Sequence, residues 1–414
     1  MTDGRPQRLT IVTPTTAQFH SELYRIGGSA AARGHAVTVI ARGGPGLAIE
    51  ERHPAGYRII RIASDPREGL PLPAAIRARI RQRATRRALK PRGGPARILE
   101  VRAGTHEAIR IAPRADLVLG YHYLGIGTGL ALGRRDRAPV IYDAGDIYLA
   151  STAVEALPRP VRAAIRQYER AAAQRADAVV TANDAYAAEL ARRLDVPLPV
   201  VVLNCPPRWT PPAVPPRRFH EALGLDPGTR VVLYHGGFTA ERGIEQLIEA
   251  IPRVERAVLV LLGYGPLAAR YHAIAADPAT AGRVRVLPAV DPAELLEWVA
   301  SADVAAMPIL ATTLNHRLST PNKLFEALAV GLPVVASDLP GMAAIVRPLD
   351  AGRLVDPAEP ASIAAGLNAV LDTPEPERLA RRERILAAAG AAYNWETQSA
   401  RLFAELERLT HRPW

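Results

Sequence analysis

The stretch LSTPNKLFEALAVGLPVVASD, Leu318 to Asp338, holds one of two lysines in a chain whose other positive charges sit on fifty arginines. Thr320 is placed to cap a helix, Pro321 suits its first position and Gly331 stops it, so a helix is predicted from about Pro321 to Val330. On it, Asn322, Lys323 and Glu326 are spaced three and four apart and share one face. Lys323 falls in the first turn, where the helix dipole opposes a cation unless an anion at the same end recruits both. A phosphate is such an anion. Glu326, one turn deeper, can accept hydrogen bonds from a sugar diol, which a cation cannot do. An exposed Lys323–Glu326 ion pair on a surface helix would explain the same residues and would stabilise little.

Two further turns follow predicted strands: YHGGFTAERG, Tyr234 to Gly243, and LLGYGPL, Leu261 to Leu267. Gly236, Gly237 and Gly263 would let the backbone approach a ligand, with N–H groups of the next helix aimed at an anion. Taken singly, such turns also serve as plain strand–helix connections. In the first half, His20 lies in the loop after the first predicted strand, His122 follows Gly120-Tyr121, and Asp143 and Asp146 end another strand. Each is a candidate for contact with a substrate or an ordinary cap.

The elements that must position these residues alternate short β-branched runs with helical stretches, the pattern of parallel sheets flanked by helices. Strands are predicted at Leu9–Thr13, Ala36–Ala41, Tyr57–Ala63, Ala115–Gly120, Pro139–Ala144, Ala178–Ala182 and Pro199–Asn204. The segment CPPRWTPPAVPPRR, Cys205 to Arg218, has six prolines and can be neither helix nor central strand. Beyond it the alternation restarts at Arg230–Gly236, Ala257–Gly263, Val284–Ala289, Val304–Ile309, Pro333–Ser337 and Gly352–Asp356. The predicted class is therefore α/β, with two Rossmann-like doubly wound domains, 1–204 and 219–390, joined by the linker 205–218. A final helix over 391–414 carries Trp395, Ala400 or Leu402, Phe403 and Leu406 at helical spacing, and the first domain is a surface on which it can bury them.

Composition bounds the partners. At 48% hydrophobic and 22% charged, the 414-residue chain reads as globular and long enough for two cores. MTDGRPQRLTIV lacks a signal-peptide core, and the longest uncharged run, Leu117 to Gly133, is broken by five glycines, so no lipid-spanning helix is expected. Cys205 is the only cysteine, which suits a reducing cytosol. The net charge of +11 is not spread over a nucleic-acid-binding face: Arg77 to Arg102 holds ten basic residues against Glu100, leaving +2 for the rest. This basic insertion, about 72–102, reads either as a helix on an anionic membrane surface at the inner face of the cell membrane or as a solvated insertion.

The ordered set VLYHGGFTAERGIEQLIEAI, VLLGYGPL, VRVLPAVDPAELLEWVASADVAAMPI and TPNKLFEALAVGLPVVASDLPGMAAIV resembles the nucleotide-sugar domain of retaining GT-B glycosyltransferases, in particular family four. RGHAVTVIA, ADLVLGYHYLGIGTGLAL and PVIYDAGDIY match the first half more loosely. The resemblance implies two domains facing a cleft and transfer of a hexose-type sugar, with retention, from a UDP- or GDP-type sugar donor. The acceptor would be a glycan, a lipid-linked molecule or a small molecule. No cofactor beyond this co-substrate is implied.

Residue by residue, Glu326 matches the glutamate that holds the donor's ribose, and Arg242 falls where a lysine usually meets the diphosphate. Pro321, Asn322, Lys323 and Leu324 fall in the same donor motif, and Ala289 and Val290 follow Pro288 where the nucleobase edge is met. Two departures stand out: Leu318 replaces the first glutamate of the pair, and Gly237 replaces an arginine on the diphosphate. Lys323 and Arg242 are then the cations left in these motifs. With no Asp-x-Asp in the sequence, a metal-independent departure of the diphosphate, stabilised by fixed cations and helix N–H groups, is expected. A sugar-nucleotide 2-epimerase of the same fold, or a non-catalytic binding protein, would carry many of the same residues.

Overall fold

The computed structural model describes residues 5–18, 20–62, 103–212, 214–280 and 282–414. The basic insertion about 72–102, with its membrane reading, lies outside the described residues. The chain divides into two compact units, Met1–Leu203 with Ser399–Trp414, and Asn204–Gln398.

The first unit is built on β1 (Arg8–Val12), β2 (Ala36–Arg42), β3 (Glu50–Arg52), β4 (Arg58–Ile62), β5 (Leu117–Tyr121), β6 (Val140–Ala144), β7 (Ala178–Thr181) and β8 (Val200–Val201). Their order is β3-β4-β2-β1-β5-β6-β7-β8. All pairings are parallel except β3 on β4. The central strands are apolar and buried because helices cover both faces, as parallel sheets require. β3 has no counterpart in the sequence reading, because EER carries no apolar alternation; Arg58 and Arg61 bind its carboxylates instead. The strand predicted at Pro199–Asn204 shrinks to the two residues of β8.

The second unit repeats the plan with β9 (Arg230–Gly237), β10 (Ala257–Tyr264), β11 (Val284–Pro288), β12 (Val304–Met307), β13 (Val334–Ser337) and β14 (Gly352–Val355), in the order β11-β10-β9-β12-β13-β14. In each sheet the order reverses beside the first strand, between β1 and β5 and between β9 and β12. Ligands of doubly wound sheets bind at the carboxyl ends there. In both units the candidate residues stand at those ends.

The helix of the lysine stretch runs Asn322–Ala329, and Pro321 is its N-cap, at φ −67° and ψ 145°. The expectation of a Thr320 cap with Pro321 as first helical residue is thus corrected: the proline ring fixes φ, but ψ stays extended. The stripe on the last helix, Trp395–Thr410, consists of Trp395, Leu402, Phe403 and Leu406, all buried. Within the first unit, the Arg33 guanidinium lies 3.6 Å over the Phe403 ring and the Trp414 ring 4.9 Å from His35.

Candidate active site

In the second unit, β9 ends in Gly236, at φ 109°, and Gly237. A side chain on Gly263, at the end of β10, would begin 2.0 Å from the Gly236 carbonyl oxygen, so the two strand ends close up only because glycine stands there. At Gly237, by contrast, a Cβ meets nothing within 4 Å. The turn is held from below by Tyr234, whose hydroxyl donates to the Gly237 carbonyl at 2.9 Å.

Lys323 comes up to the same turn. Its Cε and Nζ lie 3.8 Å from where a Gly236 Cβ would stand, and Nζ sits 3.5 Å over the Tyr234 ring. The residue is only 9% exposed, which overturns the picture of a surface ion pair. Burial and then the neighbouring Arg242 charge hold its pKa well below the usual lysine range, against a weaker opposing pull from Glu326. The charged form of an amine in such a place is favoured only when negative charge is brought to it.

Glu326 faces elsewhere: His235 Nε2 lies 2.9 Å from its Oε2, with both residues buried. Asn204 donates to the Asn322 side-chain oxygen at 3.1 Å, and Arg242 Nε donates to the Thr239 hydroxyl at 3.2 Å. Leu324 is fully buried and its N–H donates to the Pro321 carbonyl, so it serves the core and the helix start. Ala289 is exposed and Val290 half-buried just past β11. Sequence reasoning quoted His235 and Tyr234 within the turn motif but gave neither a role. The signal was a histidine immediately before paired glycines.

In the first unit, the end of β5 delivers Tyr121 and His122. His122 opens the helix His122–Asp136 at φ 67°, accepts from the Leu124 N–H through Nδ1, and packs its ring 3.8 Å from that of Tyr148. His20 lies edge-on to Tyr121 at 4.5 Å, and burial pushes its pKa down to about 4, so its ring is neutral near pH 7.

Asp143, at the end of β6, is 2% exposed; burial and then the Glu22 charge push its carboxyl well above the usual range. Part of Glu22 reaches solvent, but its carboxyl is enclosed and pushed up to about 7, first by burial and then by Asp146; Arg25 and a hydrogen bond from Tyr121 pull the other way. Tyr186 donates to Asp146 at 3.4 Å. A carboxyl such as that of Glu22, which titrates near neutrality, can both accept and donate hydrogen bonds, which suits hydroxyl-bearing molecules. Glu22 was missed in the sequence; its position in the first turn of the helix after β1 was the available clue. Among the described residues, no three His, Cys, Asp or Glu side chains are grouped to hold a metal ion, and no helix is long and apolar enough to cross a membrane.

Two doubly wound units of this kind are the architecture of the GT-B fold. Solved structures agree on the architecture: sucrose-phosphate synthase from Thermosynechococcus elongatus superposes with a TM-score of 0.73 at 19% identity, covering 97% of this chain and 98% of that one. HepE of Anabaena in complex with UDP gives 0.68 at 17% identity, covering 97% and 100%.

The chain belongs to glycosyltransferase family 4. The model for Glycosyltransferase Family 4 matches residues 23–206, and that for Glycosyl transferases group 1 matches 229–373. A D-inositol 3-phosphate glycosyltransferase of Xylanimonas cellulosilytica is 29% identical over 74% of this chain and 75% of its own length. Another, of Catenulispora acidiphila, is 26% identical over 69% of each.

Proposed function

We propose that this glycosyltransferase moves a hexose-type sugar from a UDP- or GDP-type donor to an acceptor hydroxyl, with retention and without a metal ion. The observation that carries this reading is Lys323, whose buried amino group stands beside the Gly236–Gly237 turn with Arg242 opposing its charge and Glu326 favouring it. A diphosphate at that turn would meet both cations, and as the sugar bond breaks the same charges would stabilise the departing phosphate. Glu326 would accept from the ribose, and Ala289 and Val290 would edge the base. Solved relatives in fold include complexes with UDP and with UDP-glucose, which supports this class of donor.

In the first unit, His20, His122, Asp143 and Asp146, joined by Glu22, would receive the acceptor. The decisive experiment is calorimetry with UDP, GDP and their sugars, followed by turnover against an acceptor panel that includes D-inositol 3-phosphate. Binding of a nucleoside diphosphate is expected, with transfer that survives EDTA and a product of unchanged anomeric configuration by NMR. Failure of every nucleotide to bind refutes the donor site. Sugar-nucleotide epimerisation without acceptor refutes transfer as the reaction.

A further inference from the structure

The two charged residues of the helix Asn322–Ala329 stand three apart, a spacing at which a lysine and a glutamate ordinarily attract each other. Were Glu326 to turn to Lys323, the cation would be neutralised and the carboxylate withdrawn. The residue that holds it elsewhere is His235, 3% exposed, whose Nε2 is 2.9 Å from Glu326 Oε2. Its other ring nitrogen, Nδ1, is buried and has no hydrogen-bond partner among the described residues. A carboxylate can only accept, so in this pair the ring Nε2–H donates to Glu326. The pair bridges 91 residues and is shut away from water, where a hydrogen bond to a charged group is strong and an unclamped carboxylate is costly.

We propose that His235 is a positioning residue for the donor site: its Nε2–H clamps the Glu326 carboxylate toward the ribose diol and away from Lys323, leaving the ammonium for the diphosphate. The proposal rests on the reading of Glu326 as the ribose acceptor. His235 touches no reacting atom; it acts through Glu326 and sits directly before the glycine turn on β9, so one strand end sets both the carboxylate and the turn.

The test compares UDP and GDP with their 2′-deoxy counterparts, by calorimetry on the parent chain and on His235→Ala, His235→Gln and His235→Asn. Glutamine places an amide N–H near the position of Nε2, whereas asparagine is too short to reach. For the ribonucleotide that the parent binds, His235→Ala and His235→Asn are expected to lose roughly ten-fold in affinity and His235→Gln to recover most of it. The 2′-deoxy form, lacking one of the hydroxyls that Glu326 accepts from, is expected to change less than about two-fold. Equal losses for the ribo and deoxy forms would reveal a merely structural role and overturn the proposal, as would no loss or no rescue by glutamine. If His235→Ala fails to fold, the contrast of glutamine with asparagine decides the question alone. A parent chain that binds UDP or GDP but does not distinguish ribose from deoxyribose removes the ribose role of Glu326, and this proposal with it. A parent that binds neither nucleotide removes the donor site itself.

Discussion

The carboxyl ends of the two sheets are built alike and lined by opposite kinds of titratable group. Each first strand, β1 or β9, stands where the strand order reverses, and each end is faced by the start of a helix. At the end of β9 the side chains drawn in are cations, Lys323 and Arg242, with glycines that bring backbone close. At the ends of β5 and β6 they are carboxyls and aromatic rings, Glu22, Asp143, Tyr121 and Tyr148. One architecture thus supplies one site lined with basic groups and another lined with acidic ones, because strand topology fixes where ligands go and only the side chains fix what they are.

The largest effect is expected where backbone approach makes the cation site possible. Gly263→Ala would drive a methyl against the Gly236 carbonyl oxygen, a contact of 2.0 Å, costing on the order of 3 kcal/mol or more and lowering the midpoint of denaturant unfolding accordingly. Next is Lys323→Ala, expected to weaken nucleoside diphosphate binding roughly a hundred-fold by calorimetry, whereas Arg242→Lys keeps its charge and should lose less than about ten-fold. Equal affinity of Lys323→Ala and the parent would break the comparison outright.

The pH dependence sharpens it. Because the Lys323 pKa is held well below 10.5, the ammonium is lost as pH rises short of that value, and diphosphate affinity should fall with it. In Lys323→Met this part of the profile should be flat.

On the acidic side the sign reverses. The Glu22 carboxyl is raised to about 7 in the fold, so the unfolded chain releases the proton first, and stability is lost as pH rises from about 4.5 through about 7. Glu22→Gln should therefore gain about 2 kcal/mol at pH 8 and almost nothing at pH 4, read by unfolding at the two pH values. The smallest expected effect is that of Gly237→Arg. There is open space around its Cβ, so the arginine should fit at little cost in stability and tighten diphosphate binding by roughly three- to ten-fold.

Much of the architecture was legible in the sequence because local chemistry encodes it. Runs such as VLVLLG and VIYDA are too apolar and β-branched for anything but buried strands. CPPRWTPPAVPPRR excludes regular structure by its missing N–H groups. The edge strand β3 was not legible, since EER owes its pairing to its neighbour rather than to its own pattern, and β8 was legible in place but not in length. The helix start was legible to within a residue, and the error lay in assigning Pro321 a helical ψ.

For the site, the sequence by itself determined that Lys323 and Glu326 share a helix face and that glycines stand at strand ends, since 3.6-residue periodicity and steric freedom are local properties. Only the tertiary structure decided that Lys323 is buried over Tyr234, that Glu326 is turned to His235, and that Glu22 meets Asp143 and Asp146. Those partners lie far apart in sequence. They are joined by which strands pair and in what register, and packing of the whole sheet selects that arrangement rather than any single stretch of chain.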